Sequence, residues 1–267
     1  MGSAQDDERL ERGSPDRFGY SWQHFAELSP EQELQFRRWT CLLNPDTDWT
    51  QKTFLDVGCG MGRNSHWAMT YGAAGGLAID VDSRSLSAAR HNLADYPSVE
   101  IQFASIYDMD VESVYDIAFS IGVIHHLEAP DHALRNMVVA TRPGGKVLIW
   151  VYGYENMELY VDVLNPLRKA VFSRLPISFV RALAYVPAAL LFGLLKLNVF
   201  KIEYFKLLSN FPFPHIHHIV FDQMLPQIAN YWRRDEVIAL MTEAGLDDVD
   251  VAWVNQMSWT AIGTKPG

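Results

Sequence analysis

Short apolar runs and amphipathic stretches alternate along most of this 267-residue chain. Phe54–Val57, Leu77–Asp82, Val99–Ala104, Val114–Phe119 and Lys146–Val151 have strand length and an apolar cast. The segments between them, 63–71, Ser83 to Leu93 and a stretch from Asp131, read as helices; in the last, Leu134, Met137, Val138 and Thr141 share a face. Pro143-Gly144-Gly145 predicts the turn into the fifth strand. At the chain's end Val237, Leu240, Met241 and Ala244 line one face of a helix over Arg233–Ala244, with Gly245 at its stop. Alternating Val249, Val251 and Trp253, then Ser258–Thr264, predict two further strands. Upstream, Ser29 as N-cap, Pro30 at the first helical position and Gln32 three residues after the cap predict a helix through Leu43. Strands alternating with helices make the expected class α/β, with a largely parallel sheet.

Two segments fall outside this rhythm. Met1–Arg17 is polar and charged with no apolar h-region, so disorder is expected there and a secretory signal is not. Residues 154–232, about 79 of them, separate the fifth strand from the last helix, where roughly 2–6 are usual. Two apolar stretches, near 157–172 and 178–197, each interrupted by a proline (Pro166, Pro187), predict a helical insertion. Between 157 and 210 seven basic residues face three acidic ones, a local +4 in a chain of formal charge −10. The uncharged run Ala182–Leu195 has 14 residues, short for a ~30 Å bilayer core and suited to a buried or interfacial helix. The acidic balance argues against a general nucleic-acid binder, leaving small molecules or proteins as partners. A peripheral membrane contact through 178–210 and a homodimer are both compatible with it. Cys41 and Cys59 do not make a disulfide framework, and the expected location is a reducing, cytoplasmic one.

The chemistry concentrates at Asp56-Val57-Gly58-Cys59-Gly60-Met61-Gly62-Arg63, where the first strand turns through alternating glycines into a helix. Such a turn lets backbone approach a ligand closely and points helix-opening N–H groups at it. A dinucleotide fingerprint needs a third glycine at position 63, which is arginine, so a nicotinamide oxidoreductase is disfavoured. The acidic-x-Gly-x-Gly-x-Gly pattern instead resembles the first motif of the class I S-adenosylmethionine-dependent methyltransferases, and the resemblance extends in order over about 54–153 and 233–267. It implies a Rossmann-like seven-stranded sheet, mostly parallel with one antiparallel strand, and a helical insertion after strand five. It also implies S-adenosylmethionine as cofactor and S-adenosylhomocysteine as product.

On that resemblance Asp56, Gly58, Cys59 and Gly60 cradle the cofactor's methionine end. Asp80, 22 residues after Gly58 at the end of an apolar strand, takes the ribose diol, with Val81 beside it and Asp82 as alternative or as a helix cap. Ser105 stands where the family commonly has an Asp for the adenine amino group, with Ile106 as an apolar face. Ser120 opens the segment after strand four that lines the cofactor. The aromatic stretch Phe18–Phe25, with Tyr20, either folds over the cofactor or packs on the core.

His125 and His126, beyond strand four, and His217 and His218 in the insertion are the candidate bases for an acceptor hydroxyl; His125 and His126 could instead only hold the loop by hydrogen bonds. His215, His217, His218 and Asp222 lack a recognised zinc spacing, and no metal is expected. The expected organisation is a disordered 1–17, a cofactor domain from 18–153 and 233–267, and an insertion, 154–232, covering the acceptor site. The expected function is methyl transfer to a small apolar metabolite, at oxygen rather than nitrogen. The alternatives are a membrane-surface lipid- or quinone-type methyltransferase and a non-catalytic cofactor-binding protein.

Overall fold

The computed structural model describes residue 28 and residues 30–267 except 159, 167–174, 225 and 227. The described chain begins with α1 (Pro30–Trp39) and enters the alternation at β1 (Thr53–Val57), α2 (Arg63–Thr70), β2 (Gly75–Asp80) and α3 (Ser83–Asn92). It continues with β3 (Val99–Phe103), a 3-10 turn at Ile106–Asp108, β4 (Tyr115–Ile121), a second 3-10 turn at Ile124–His126, α4 (Pro130–Ala140) and β5 (Thr141–Tyr152). The strands form one seven-stranded sheet in the order β3-β2-β1-β4-β5-β7-β6, where β6 is Asp247–Val254 and β7 is Ser258–Thr264. Only β7 runs against the rest, pairing antiparallel with both β5 and β6.

Successive side chains of a strand point to opposite faces, and the core follows that period of two. Leu55 and Val57 of β1 and Val147, Ile149 and Val151 of β5 join one buried cluster, with Leu134 and Met137 of α4. Phe54, Phe119 and Leu148 enter the cluster on the other face, against Phe36 of α1, Trp67 of α2 and Leu86 of α3. Helices on both faces explain why these strands read as continuous apolar runs. Each fully buried Leu or Phe contributes roughly 1.5–3 kcal/mol over its exposed state.

Two boundaries differ from the expectation. The first helix stops at Trp39 and not at Leu43: the Thr40 amide makes the last helical bond, to the Phe36 carbonyl at 2.9 Å, and the chain then tightens into a turn in which the Leu43 amide donates to the Thr40 carbonyl at 2.8 Å. Pro143-Gly144-Gly145 does not separate helix from strand: β5 already starts at Thr141, and these residues form an irregularity in its pairing with β4.

Between β5 and α9 (Arg234–Glu243) the described insertion holds a π-helical turn at Tyr160–Leu164, then α5 (Ile177–Leu183), α6 (Tyr185–Lys196), α7 (Glu203–Leu208) and α8 (Phe213–Met224). The expected helix at 178–197 corresponds to α5 and α6. Pro187 is accommodated in the first turn of α6, where the missing N–H costs least. Only the short turn at 160–164 is described from the stretch expected near 157–172, and helices α7 and α8 were not foreseen. The insertion has small cores of its own, one from Val180, Ala184 and Phe221, another from Leu195, Leu208, Phe211 and Ile216.

Both ends of the insertion are tied to one edge of the sheet. The Trp232 amide donates to the Tyr152 carbonyl at 3.1 Å and the Tyr154 amide to the Trp232 carbonyl at 3.0 Å. The Asn230 amide donates to the carbonyl of His125 at 2.8 Å. That edge carries the carboxyl ends of the parallel strands, and strand order reverses at it between β1 and β4. Open α/β sheets bind their ligands there.

Candidate active site

After β1 the chain passes through Gly58, Gly60 and Gly62 with φ of 74°, 54° and 80°, a left-handed sequence that side chains resist. Gly58 is needed twice over, since a Cβ there would also collide with the Val123 side chain. The Gly58 and Cys59 amides both donate to the Ile79 carbonyl at 2.9 Å, which pins the turn to the end of β2. Asp80 completes the attachment: its carboxylate accepts the Gly60 amide at 2.9 Å on one oxygen and the Asp82 amide at 2.9 Å on the other. Each carboxylate oxygen keeps a further lone pair, which suits a vicinal diol. Burial pushes the Asp80 pKa up, with the Gly60 and Asp82 amides opposing.

Asp82 is engaged elsewhere. It caps α3, accepting from the Arg84 and Ser85 amides at 2.9 and 3.1 Å, and pairs with the Arg84 guanidinium at 2.6 Å. Burial works against its charge, but the Arg84 side chain and the Ser85 amide hold it below the ordinary carboxylate range.

Asp56, fully buried at the end of β1, accepts the Ser65 hydroxyl at 2.7 Å on Oδ2, while Oδ1 has no hydrogen-bond partner. Burial raises its pKa to about 7. An orphaned buried carboxylate oxygen beside a glycine cradle fits a ligand that brings a cationic donor, as the ammonium of a methionine-derived cofactor does. Next to it the Arg63 guanidinium lies over the Trp39 ring at 5.0 Å. Burial lowers Arg63 to about 10, opposed by the fields of Asp222 and Asp56.

The remaining cofactor candidates sit around this edge. Cys59 is buried in the turn, and half-buried Val81 follows Asp80. Ser120 is buried and donates its hydroxyl to the Val57 carbonyl at 3.0 Å, which binds β4 to β1 where they meet the turn. Ser105 accepts the Tyr107 amide at 3.2 Å and so caps the 3-10 turn that buries Ile106. The position where the family commonly has an Asp therefore serves a local cap. Tyr20, with the aromatic stretch around it, lies outside the described residues.

Beyond β4, His125 is completely buried and, among the described residues, neither ring nitrogen has a hydrogen-bond partner. Burial, with His126 adding to it, lowers its pKa well below the usual value. Its ring faces Tyr152 at 3.8 Å and meets His126 at 4.2 Å. His126 is fixed differently, its Nδ1 donating to the Ile228 carbonyl at 2.7 Å.

Helix α8 adds Gln223, which the chain's local pattern did not single out, and Asp222, noted there only as part of the histidine cluster. The Gln223 amide donates to the Tyr152 hydroxyl at 2.9 Å, and Asp222 raises the pKa values of Tyr152 and Tyr204, chiefly shifted upward by burial, Tyr204 to about 12. Tyr152 could have been noticed as the last residue of the fifth strand. Gln223 carried no local signal, because its approach depends on how the insertion folds back.

His217 is not brought to this place. Its ring stacks on Tyr185 at 3.9 Å, its Nε2 donates to the Arg181 carbonyl at 3.1 Å, and it shares no ring neighbour with His125. His218 pairs with Asp222 at 3.0 Å and His215 stacks on Phe211 at 4.2 Å, so the three imidazoles of that cluster serve three different contacts. A separate groove on the opposite edge of the sheet, carrying Lys52, Asp116, Arg142 and Lys146, lies away from the glycine turn.

The sheet order, the glycine cradle and the acidic ends of β1 and β2 are those of the fold of class I S-adenosylmethionine-dependent methyltransferases. Residues 55–149 match a family described as a methyltransferase domain. The chain is 31% identical over 131 residues to a tRNA U34 carboxymethyltransferase of Methylococcus capsulatus, covering 47% of this chain and 39% of that protein. It is 33% identical over 101 residues to a ubiquinone biosynthesis O-methyltransferase of Bordetella avium, covering 37% and 40%. The chain thus spans about two fifths of the length of these curated relatives. Among solved structures, a SAM-dependent methyltransferase from Thermotoga maritima superposes with a TM-score of 0.53 at 13% identity, over 93% of this chain and 99% of that one. The family match ends at residue 149, before the insertion begins.

Proposed function

We propose that this protein transfers the methyl group of S-adenosylmethionine to an oxygen of a small, apolar acceptor, with residues 154–232 covering the acceptor site. His125 carries the reading. An imidazole that burial holds neutral, at the ligand-binding edge of the sheet and with neither nitrogen partnered among the described residues, has a free lone pair that can take an acceptor's hydroxyl proton. When bound, the cofactor supplies an activated methyl group, so the protein's task is placement, proton removal and exclusion of water.

In this scheme Asp80 receives the ribose hydroxyls, the amides of the glycine turn and Asp56 Oδ1 hold the methionine end, and Ile106 borders the adenine. His125 would accept the acceptor's hydroxyl proton, leaving the oxygen to receive the methyl group that the bound cofactor would supply. Tyr152 lies against the imidazole, its ring tilted by 31°, and Gln223 holds the Tyr152 hydroxyl. His126, tethered to Ile228, positions the loop.

The tRNA-modifying relatives are named for a polyanionic substrate, whereas a formal charge of −10 favours a small acceptor here. The test is release of S-adenosylhomocysteine in a panel of phenols, apolar alcohols, amines and bulk tRNA. Turnover with hydroxylated acceptors that His125→Ala abolishes supports the proposal; turnover only with amines or tRNA, or none with cofactor bound, refutes it.

A further inference from the structure

Helices α5 and α6 form a nearly continuous run, Ile177–Lys196, whose 20 residues are long and apolar enough to cross a membrane by length and composition. The run exceeds the uncharged stretch Ala182–Leu195 because Arg181 lies within it, so length alone does not exclude crossing. Its two sides differ. Val180, Ala184, Ala188 and Leu195 are buried against the rest of the insertion. Phe179, Leu183, Val186, Leu190 and Leu197, which recur every three, four or seven residues along the opposite side, are 52%, 36%, 74%, 66% and 73% exposed. A contiguous apolar strip of this kind marks an interaction surface.

Charge identifies the partner. The end of the strip and the segment after it carry exposed Lys196, Lys201 and Lys206, the first with its ammonium on the Ser209 carbonyl at 3.0 Å, against the acid Glu203, which already lies 3.5 Å from Arg38. This cationic rim stands out in a chain of net charge −10. We propose that the outer face of α5 and α6 lies in the plane of an anionic lipid membrane, its apolar strip in the headgroup–acyl boundary and its cations among the lipid phosphates. Spanning would strip Val180 and Ala184 from Phe221 and so dismantle the packing of α8, which carries Asp222 and Gln223. A second copy on the strip would bring two cationic rims together. The proposal does not depend on the acceptor chemistry assigned above.

Flotation of the full-length chain with vesicles tests it. Binding is expected to vesicles of equal parts phosphatidylcholine and phosphatidylglycerol, to fall in high salt, and to be weak with phosphatidylcholine alone. Val186→Asp with Leu190→Asp, and separately Lys201→Glu with Lys206→Glu, should each weaken binding about tenfold or more at unchanged cofactor affinity and circular dichroism. The proposal is overturned if the chain floats with neither vesicle, or if the variants float as well as the parent. It is equally overturned if sedimentation velocity without lipid reveals a dimer that Val186→Asp with Leu190→Asp dissociates, since the strip then belongs to a second copy.

Discussion

Asp80 accepts the Gly60 amide at 2.9 Å, so the acid that ends β2 and the glycine turn that follows β1 are one unit and not two independent cofactor contacts. Removing the carboxylate should loosen the loop and delete the ribose acceptor together. Asp80→Ala is expected to weaken S-adenosylmethionine binding by at least tenfold, about 1.4 kcal/mol, by isothermal titration calorimetry. Asp82→Ala should instead lower thermal stability by about 1 kcal/mol through loss of the α3 cap, leaving affinity within a few-fold. Equal affinities for parent and Asp80→Ala would remove Asp80 from the cofactor site.

Gly58 tests the cradle from its backbone. Its φ of 74° and the closeness of Val123 leave no room for a methyl group, so Gly58→Ala should cost on the order of 1–3 kcal/mol and reduce cofactor binding with it. Gly58→Ala with Val123→Ala relieves the collision but not the φ strain, and should recover only part of the loss. Full recovery in the double variant would show that sterics alone had fixed the glycine.

Asp56 makes a prediction in pH. Its folded pKa is about 7 against 3.8 for an ordinary aspartate, so between roughly pH 4 and 7 the native state holds a proton that the unfolded chain has released. The ligand-free protein should therefore lose stability as pH rises through that window, by on the order of 2–4 kcal/mol from this group. Asp56→Asn should flatten this part of the curve of denaturant midpoint against pH. An unaltered curve would mean that Asp56 is ionised and satisfied in the free protein.

Much of this arrangement was legible because it is local. The apolar runs located all seven strands, the alternation of glycines located the turn, and the acids at 56 and 80 followed from their distance to it. What could not be read depends on chain segments far apart in sequence. The contact of Gln223 with Tyr152 spans 71 residues, and nothing in the pattern around 213–224 separated a helix from a histidine cluster. The same limit applied to His217, whose place is decided by Tyr185 and the Arg181 carbonyl on a neighbouring helix. Pro143-Gly144-Gly145 failed for another reason: turn residues in sequence became a bulge, because β5 was already paired with β4 at Thr141.

His125 should titrate outside the usual range of imidazoles. Burial, aided by His126, holds its pKa well below the usual imidazole value of 6.5, so turnover should show no acid limb at 6.5. His125→Ala should lower kcat by about 10²-fold or more with cofactor affinity unchanged. His217→Ala should leave kcat within a few-fold and act on stability, since its Nε2 holds Arg181. An acid limb at 6.5 that survives in His126→Gln and vanishes in His125→Gln would place a solvated histidine in the mechanism and contradict the buried geometry.

The two sides of the α5–α6 run give the last prediction. Val180 is fully buried with Ala184 and Phe221, whereas Leu190 is 66% exposed, although both are apolar residues of one helical run. Val180→Asp places an unpaired charge in the cluster that holds α5 against α8, at an expected cost of about 3–5 kcal/mol. That exceeds what a satellite cluster of three buried residues can bear, so the insertion should open while the sheet core stays folded. Hydrogen exchange would then rise across Phe213–Met224 and remain slow in β1, β4 and β5. Because α8 brings Gln223 to Tyr152, turnover should fall with that opening while Asp80 and the glycine turn still bind the cofactor. Leu190→Asp alters no buried contact and should leave both exchange and turnover in detergent-free solution as they were. If Val180→Asp instead speeds exchange throughout the sheet, the insertion is part of one cooperative core and not a cover that opens by itself.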